Sequence, residues 1–359
     1  MLTSEEILSV DRSGLILDYE DWPRHCRSAS NIELSTPSLE GIHNVVYVGM
    51  GGSGSAGDIL HDWSASRSDI PVVIVKDCHL PRFVNERTLV IAVSCSGDTE
   101  EVLNATSEGV ERGARVVTVS SGGLLLELSK RKMIPHTKVP QLRTPRSSFP
   151  YLFFPTLRLM IQALAIEGGQ SEVDAAVEAV DEMHSLIRMD SSVESNPAKQ
   201  IATQTSSGIP LIYAARSARG VALRFKDSLN ENAKVHAIDD YIPELCHNEI
   251  EAACTRSETV FRPILIGGVD ETPEVKARFE AVRELLAANS QSVYEFLPTA
   301  RTGIARLLSS IYCLDVASIY LAVLRAVDPV PTLYISQFKE LVRAKLGFPS
   351  KSVGMSAGT

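Results

Sequence analysis

The sequence lacks the features that mark disulfide-rich, zinc-binding or nucleic-acid-binding proteins. No two of its six cysteines form a C-x-x-C pair along 359 residues. This scatter disfavours a disulfide framework or a zinc site and favours reduced thiols in a reducing compartment. Positive charge is scarce as well, because the chain has 35 Lys and Arg residues but 44 Asp and Glu residues, which gives a formal net charge of −9. That balance argues against a broad surface for nucleic acid or anionic lipid.

Targeting and membrane segments are also not predicted. The N-terminus carries Glu5, Glu6 and Asp11 and no basic leader before an apolar core, so it does not resemble a signal peptide. We expect no apolar run long enough to span a membrane. The expectation is therefore a cytoplasmic protein whose partner is a small molecule rather than nucleic acid or membrane.

Strand-like and helix-like segments alternate along the chain, which is long enough for two domains at 44% hydrophobic residues. In the first half this alternation predicts strands at 44–48, 71–76, 89–94, 115–119 and 134–138. A polar linker at 190–196 separates a predicted N-terminal domain, 1–190, from a C-terminal domain, 191–359.

The second half repeats the plan, with predicted strands at 209–214, 234–238, 260–266 and 293–297. Helices are predicted at 219–230 and 273–288, followed by a long helix at 303–327 and a final amphipathic helix. The predicted fold class is α/β, with two parallel sheets each flanked by helices, plus a C-terminal helix.

Two glycine- and serine-rich turns are the most informative features of the sequence. Residues 49–54 read GMGGSG and residues 94–99 read SCSGDT, and each turn lies between a predicted strand and a predicted helix. Both turns thus lie at carboxyl ends of parallel strands, where open α/β sheets bind ligands. Glycines let the backbone approach, hydroxyls add donors and helix N-termini attract anions. We interpret them as a cradle for one phosphate, formed by Gly51, Gly52, Ser53, Ser94, Ser96 and Thr99.

Other interpretations of these turns remain open. Gly49, Gly51 and Gly54 also satisfy the dinucleotide fingerprint G-x-G-x-x-G, and Asp77 follows the next predicted strand, where a ribose partner would lie. The glycines can equally form a structural turn, and the polar residues at 96–99 can simply cap a helix.

Two segments of the C-terminal half offer groups for proton transfer. Glu231, in the segment NENAK at 230–234, is a candidate base, and His247 is a candidate for protonating a ring oxygen, a role that suits the histidine side chain. Alternatively, Glu231 pairs with Lys234 at a helix end and His247 caps a turn. Metal ligation through His247 and Glu249 is disfavoured, because the spacing suggests no third ligand.

Two cations complete the set of candidates. Arg146 lies in a loop between prolines, where a fixed guanidinium can stabilise an anionic intermediate. Lys339 lies on the final predicted helix. Both residues can also be solvated surface charges.

Taken in order, these segments resemble the bifunctional phosphoglucose/phosphomannose isomerase family, a branch of the SIS (sugar isomerase) superfamily. The resemblance covers nearly the whole chain and is carried by residues 49–54, 94–99, 145–146, 150–151, 230–234, 247–249 and 331–339. It implies two SIS-type subdomains, and it places the sugar phosphate on the hydroxyls of Ser53, Ser94, Ser96 and Thr99.

The resemblance also implies roles for the remaining candidates. Glu231 matches the catalytic base, His247 the ring-opening histidine, Arg146 the arginine that stabilises the intermediate, and Lys339 the lysine that assists ring opening. Thr332 matches a threonine associated with acceptance of both C2 epimers. The implied protein is a homodimeric isomerase that interconverts glucose 6-phosphate and mannose 6-phosphate with fructose 6-phosphate through a cis-enediol.

The implied mechanism needs no metal and no cofactor, because Arg146 and Lys339 supply the positive charge. Two alternatives stay open at this point. One is a non-catalytic sugar-phosphate sensor on the same fold. The other is a dinucleotide-binding oxidoreductase.

Overall fold

The computed structural model describes residues 2–255, 260–269, 271–289, 292–298 and 300–345. Within these residues the chain forms two parallel sheets covered by helices. The first sheet has strand order β2-β1-β3-β4-β5 and contains β1 (Asn44–Val48), β2 (Val72–Val75), β3 (Thr88–Ser94), β4 (Arg115–Ser120) and β5 (His136–Lys138). The second has order β7-β6-β8-β9 and contains β6 (Ile209–Ala215), β7 (Ile238–Ile242), β8 (Phe261–Ile266) and β9 (Tyr294–Phe296).

Helices of the N-terminal half are α1 (Ser4–Val10), α2 (Leu15–Glu20), α3 (Trp22–Ser30), α4 (Gly51–Ser64), α5 (Glu100–Glu111), α6 (Gly123–Lys132), α7 (Phe149–Ala163) and α8 (Gly169–Ile187). Those of the C-terminal half are α9 (Pro197–Thr205), α10 (Arg219–Ser228), α11 (Glu249–Cys254), α12 (Pro273–Ala288), α13 (Gly303–Leu324) and α14 (Leu333–Lys345). The α/β class with parallel sheets, predicted from the sequence, is confirmed.

One strand prediction is wrong in the second half. The sequence predicts a strand at 234–238, but the structure starts β7 at Ile238. A π-helical turn, Leu229–Ala233, extends α10, and Lys234 then adopts a left-handed conformation with φ of 57°. Residues 234–237 connect this turn to the sheet, so the strand begins later than the apolar pattern predicts.

Helix α13 corrects a second expectation. We expected no apolar segment long enough to span a membrane. This helix, with 22 residues and a mean hydropathy of 1.9, is long and apolar enough to do so. In the structure 94% of this segment is buried inside the protein. The helix packs against α8 and α9, and its apolar surface on every side suits a central core helix.

The largest hydrophobic cluster joins both halves of the chain. It includes Val45 and Ile91 of the first sheet, Ile212 and Ile264 of the second, and most of α13. The helical layer between the sheets is therefore shared. Any groups that face this layer from the two halves can meet in one site.

The order of the first sheet decides where a ligand can bind. Strands β1 and β3 are parallel neighbours, with Val48 opposite Ala92, although β2 lies between them in sequence. Their following helices therefore leave the sheet in opposite directions and open a crevice at the carboxyl ends. Both glycine- and serine-rich turns lie at this crevice.

Candidate active site

The two turns contact each other through their polar groups. Ser53 is buried in the first turn of α4, and its Oγ accepts a hydrogen bond of 3.1 Å from the backbone N–H of Cys95. In the second turn the hydroxyls of Ser94 and Thr99 are 2.8 Å apart. The structure therefore brings Ser53, Ser94 and Thr99 together from two separate strand–turn–helix units.

Gly97 shapes the second turn. Its φ is +77°, and a Cβ at this position would lie 1.9 Å from the carbonyl oxygen of Gly122. Only glycine fits such a left-handed, crowded position without a shift of the backbone. The amide of Gly97 donates to the Ser94 hydroxyl at 3.1 Å, which closes the turn tightly at the end of β3.

Helix capping does not account for the polar residues of this turn. Thr99 is the N-cap of α5 but makes no side-chain capping bond. Asp98 instead accepts a hydrogen bond of 3.0 Å from the amide of Leu124, and the exposed Ser96 accepts a 3.3 Å bond from Asp98 N–H. The start of α5 thus keeps its positive dipole end without a side-chain cap, as an anion site requires.

Arg146 and Glu231 form an ion pair at the boundary of the two halves. The Arg146 guanidinium is buried, and its Nη1 donates to Glu231 Oε2 at 2.9 Å. Its Nε donates to Asn232 Oδ1 at 2.6 Å, while Nη2 donates to the carbonyls of Pro329 and Val330 at 2.8 and 3.1 Å. The arginine is therefore held from three directions, with the carboxylate on its accessible side.

The π-helical turn explains how adjacent residues serve this site. It places Glu231 half-buried beside Arg146 and leaves Asn232 fully buried, where Nδ2 donates to Ser318 of α13 at 2.7 Å. The alternative interpretation predicted an ion pair between Lys234 and the Glu231 carboxylate, and the structure does not contain this pair. Lys234 donates to the Glu231 backbone carbonyl and to Pro329 O, and burial beside Arg146 lowers the pKa of Lys234 to about 8.

A small cavity with a volume of about 10 Å³ lies between Gly52, at the start of α4, and this ion pair. One wall comes from the start of α4 and the other from α10 and the π-helical turn. The lining residues are Gly52, Ser55, Arg146, Arg224, Asp227, Ser228 and Glu231. Glu231 and the start of the first glycine-rich turn thus line one space.

A buried network behind the cavity was missed from the sequence. Arg224 and Asp315 form an ion pair of 2.5 Å with side chains 3% and 1% exposed. Asp315 also accepts hydrogen bonds from Tyr19 and Ser228, and Arg224 donates to the backbone carbonyl of Arg146 at 3.2 Å. The signal available was Asp315 itself, the one acidic residue within the apolar α13 sequence, because a buried charge requires a partner.

The remaining predicted residues, His247, Lys339 and Thr332, lie in the C-terminal half of the chain. His247 is exposed at the end of a short 3₁₀ turn, and Lys339 is exposed on α14. Among the described residues neither contacts Arg146 or Glu231 by a hydrogen bond or ion pair. Thr332 is half-buried directly before α14, two residues beyond the Val330 carbonyl that Arg146 holds.

Comparison with known proteins shows which proteins this chain resembles in sequence. The family model described as the bacterial phospho-glucose isomerase C-terminal SIS domain matches residues 194–342. A bifunctional phosphoglucose/phosphomannose isomerase of Thermoplasma volcanium is 32% identical over 301 residues, covering 82% of this chain and 90% of the relative. That of Thermoplasma acidophilum is 31% identical over 302 residues, covering 83% and 89%.

The fold is also found among solved structures. A hypothetical protein of Thermus thermophilus superposes with a TM-score of 0.71 at 17% sequence identity, covering 95% of this chain and 94% of that one. At this identity the similarity shows the fold alone.

Proposed function

The chain belongs to the bifunctional phosphoglucose/phosphomannose isomerase family, and on that premise we propose that it is an aldose–ketose isomerase of hexose 6-phosphates. It interconverts glucose 6-phosphate and mannose 6-phosphate with fructose 6-phosphate through a cis-enediol. The observation that carries this proposal is the Arg146–Glu231 pair, 2.9 Å apart, which lines one small cavity together with Gly52 of the first glycine-rich turn.

The proposed mechanism assigns one step to each group. The cradle holds the phosphate, so that binding at the unreactive end aligns C1 and C2 with Glu231. Glu231 takes the proton from one carbon, exchanges it with solvent and delivers a proton to the other carbon, and Arg146 stabilises the enediolate charge. His247 and Lys339 open and close the ring, and Thr332 lies where tolerance of both C2 epimers would be set. Glucose and mannose phosphates share the same enediol, so one base suffices for both.

Substitution of the cradle should affect substrate binding first. We expect Ser96→Ala to raise the KM for fructose 6-phosphate about tenfold, the lower part of the range for a hydrogen bond to a charged group. The kcat should change much less, since the phosphate does not react. Ser107→Ala is the control on α5, because the Ser107 hydroxyl already bonds the Leu103 carbonyl. A KM equal to that of the control would argue against a phosphate at this turn.

We propose that the enzyme is a cytoplasmic homodimer in which α14 packs against a second copy of this chain. The supporting observation is a set of large apolar side chains on this helix, each between 43% and 81% exposed: Leu333, Tyr334, Ile335, Phe338 and Leu341. Such a continuous apolar surface is typical of an interface.

The dimer proposal has a direct test in solution. Phe338→Asp should convert the protein from a dimer to a monomer in multi-angle light scattering, since it places a charge in the apolar surface. Ser336→Asp is the matched control, because the helical repeat places Ser336 on the opposite side of α14. A wild-type protein that is already monomeric at micromolar concentration would contradict the proposal.

The function itself is tested by a coupled assay with glucose 6-phosphate and, separately, mannose 6-phosphate, each in EDTA. We expect fructose 6-phosphate from both, at rates that EDTA does not lower. Binding of these sugars without turnover would favour a sensor. Loss of activity in EDTA with recovery on adding zinc would contradict the metal-free mechanism.

A further inference from the structure

We propose that Asp227, together with Arg224, forms a subsite for one hydroxyl group of the sugar, beside the carbons on which Glu231 acts. This inference rests on the proposed function and adds a specificity-determining residue to it. Asp227 lies on α10, four residues before Glu231, and both side chains line the same cavity. No residue of this pair was singled out by the sequence motifs.

The carboxylate of Asp227 lacks a partner. It is half-buried, and within the part of the chain that the structure describes it makes no hydrogen bond or ion pair. Two lysines act electrostatically on Asp227, but each forms an ion pair with another aspartate. Lys226 pairs with Asp239 at 2.7 Å, and Lys76 pairs with Asp58 at 2.6 Å. Burial raises the pKa of Asp227, which agrees with a carboxylate that has exchanged water for a site without donors.

Arg224 presents the complementary unpaired group. Its Nη1 donates to Ser55 Oγ and its Nη2 to Asp315 and the Arg146 carbonyl, but its buried Nε has no hydrogen-bond partner among the residues that the structure describes. A buried donor without a partner costs free energy, and native proteins rarely leave one without a reason. Arg224 is 3% exposed and also lines the cavity, and on our proposal a bound hydroxyl supplies the missing acceptor.

The two unpaired groups together select the chemistry of the ligand. An ionised carboxylate only accepts hydrogen bonds and a guanidinium only donates them. An ammonium group could not satisfy Arg224 Nε, and an anion would be repelled by Asp227. A hydroxyl satisfies both, because it donates one bond and accepts others.

A sugar hydroxyl fits this position in the proposed reaction. Glu231 lines the cavity and must face C1 and C2, so the neighbouring carbons of the substrate reach the same space. Glucose, mannose and fructose 6-phosphates carry identical hydroxyls at C3 and C4, the two carbons next to the reacting pair. A subsite that binds one of these hydroxyls would therefore hold all three substrates in the same alignment while leaving C2 free to change configuration.

The test is a double-difference experiment on the full-length enzyme. The kcat/KM of the wild type and of Asp227→Ala is measured with glucose 6-phosphate and with its 3-deoxy and 4-deoxy analogues. We expect Asp227→Ala to lower kcat/KM on glucose 6-phosphate by about 10- to 100-fold, as for a hydrogen bond to a charged group. On the analogue that lacks the bound hydroxyl, wild type and variant should agree within about threefold, because the interaction is already absent.

Two controls accompany the experiment. Asp227→Asn keeps the shape of the side chain and an acceptor oxygen, so it should fold as the wild type does and lose less activity than the alanine variant. Asp69→Asn changes an exposed aspartate outside the cavity lining and should leave kcat/KM unchanged on every substrate.

Each outcome decides between the proposals. Equal losses for Asp227→Ala on glucose 6-phosphate and on both analogues would show that the cavity holds water only or that Asp227 is structural, and would overturn the inference. An unchanged Asp227→Ala enzyme would overturn it as well. A wild-type protein without isomerase activity would instead overturn the proposed function, which the same assay reports separately.

Discussion

Replacement of Glu231 by glutamine should abolish isomerisation while leaving the fold intact. The amide oxygen of glutamine can still accept the 2.9 Å hydrogen bond from Arg146 Nη1, so the side chain keeps its place. It cannot accept the carbon-bound proton, and we expect kcat on both aldose phosphates to fall by about 10²–10⁴-fold, the usual contribution of a general base. The measurement is the coupled assay, with circular dichroism as the check on folding.

The matched control for this variant is Glu108→Gln. Glu108 is a carboxylate of similar exposure, 24% against 30%, and it also pairs with an arginine, Arg112. It lies on α5, outside the cavity, and the variant should keep wild-type activity. If Glu231→Gln retained more than about a tenth of the wild-type kcat, another residue would have to be the base.

The second large effect is on stability, at the buried pair of Arg224 and Asp315. Asp315→Ala leaves the Arg224 guanidinium buried without its counter-charge and removes the acceptor of Tyr19 and Ser228. Breaking one member of a buried ion pair costs about 3–5 kcal/mol of unfolding free energy. We therefore expect the midpoint of urea unfolding, monitored by fluorescence, to fall to a much lower urea concentration.

Asp181→Ala is the control for that prediction. Asp181 pairs with Arg27 at 2.5 Å, but the two side chains are 47% and 52% exposed. Exposed pairs contribute about 0–1 kcal/mol, so this variant should unfold close to the wild type. Equal urea unfolding midpoints for the two variants would mean that the buried pair of Arg224 and Asp315 does not stabilise the protein as predicted.

The sequence was sufficient where local pattern and strand order act together. Apolar runs predicted β1 at its observed bounds, and the glycines marked the ends of β1 and β3. Because both turns follow parallel strands, their meeting at one crevice could be predicted without coordinates. The pairing of Ser53 with the second turn agrees with that expectation, and its role as a phosphate ligand stays a prediction.

The sequence was insufficient where distant segments meet through buried polar groups. Neither periodicity nor spacing connects Arg146 to Asn232 or to the Pro329 carbonyl, and these contacts depend on how α13 packs between the halves. The late start of β7 has a similar cause, since the π-helical turn depends on tertiary contacts. The predicted boundary at residue 190 stays a prediction too, because one hydrophobic core includes both sheets.

The most direct test of the account is conversion of mannose 6-phosphate in D₂O with EDTA, followed by NMR. The account predicts both fructose 6-phosphate and glucose 6-phosphate, with deuterium at C2 of the glucose 6-phosphate, because its C2 proton is delivered to a shared enediol by a base that exchanges with solvent. Glucose 6-phosphate that carries no deuterium after many turnovers, or none formed while fructose 6-phosphate accumulates, would contradict it.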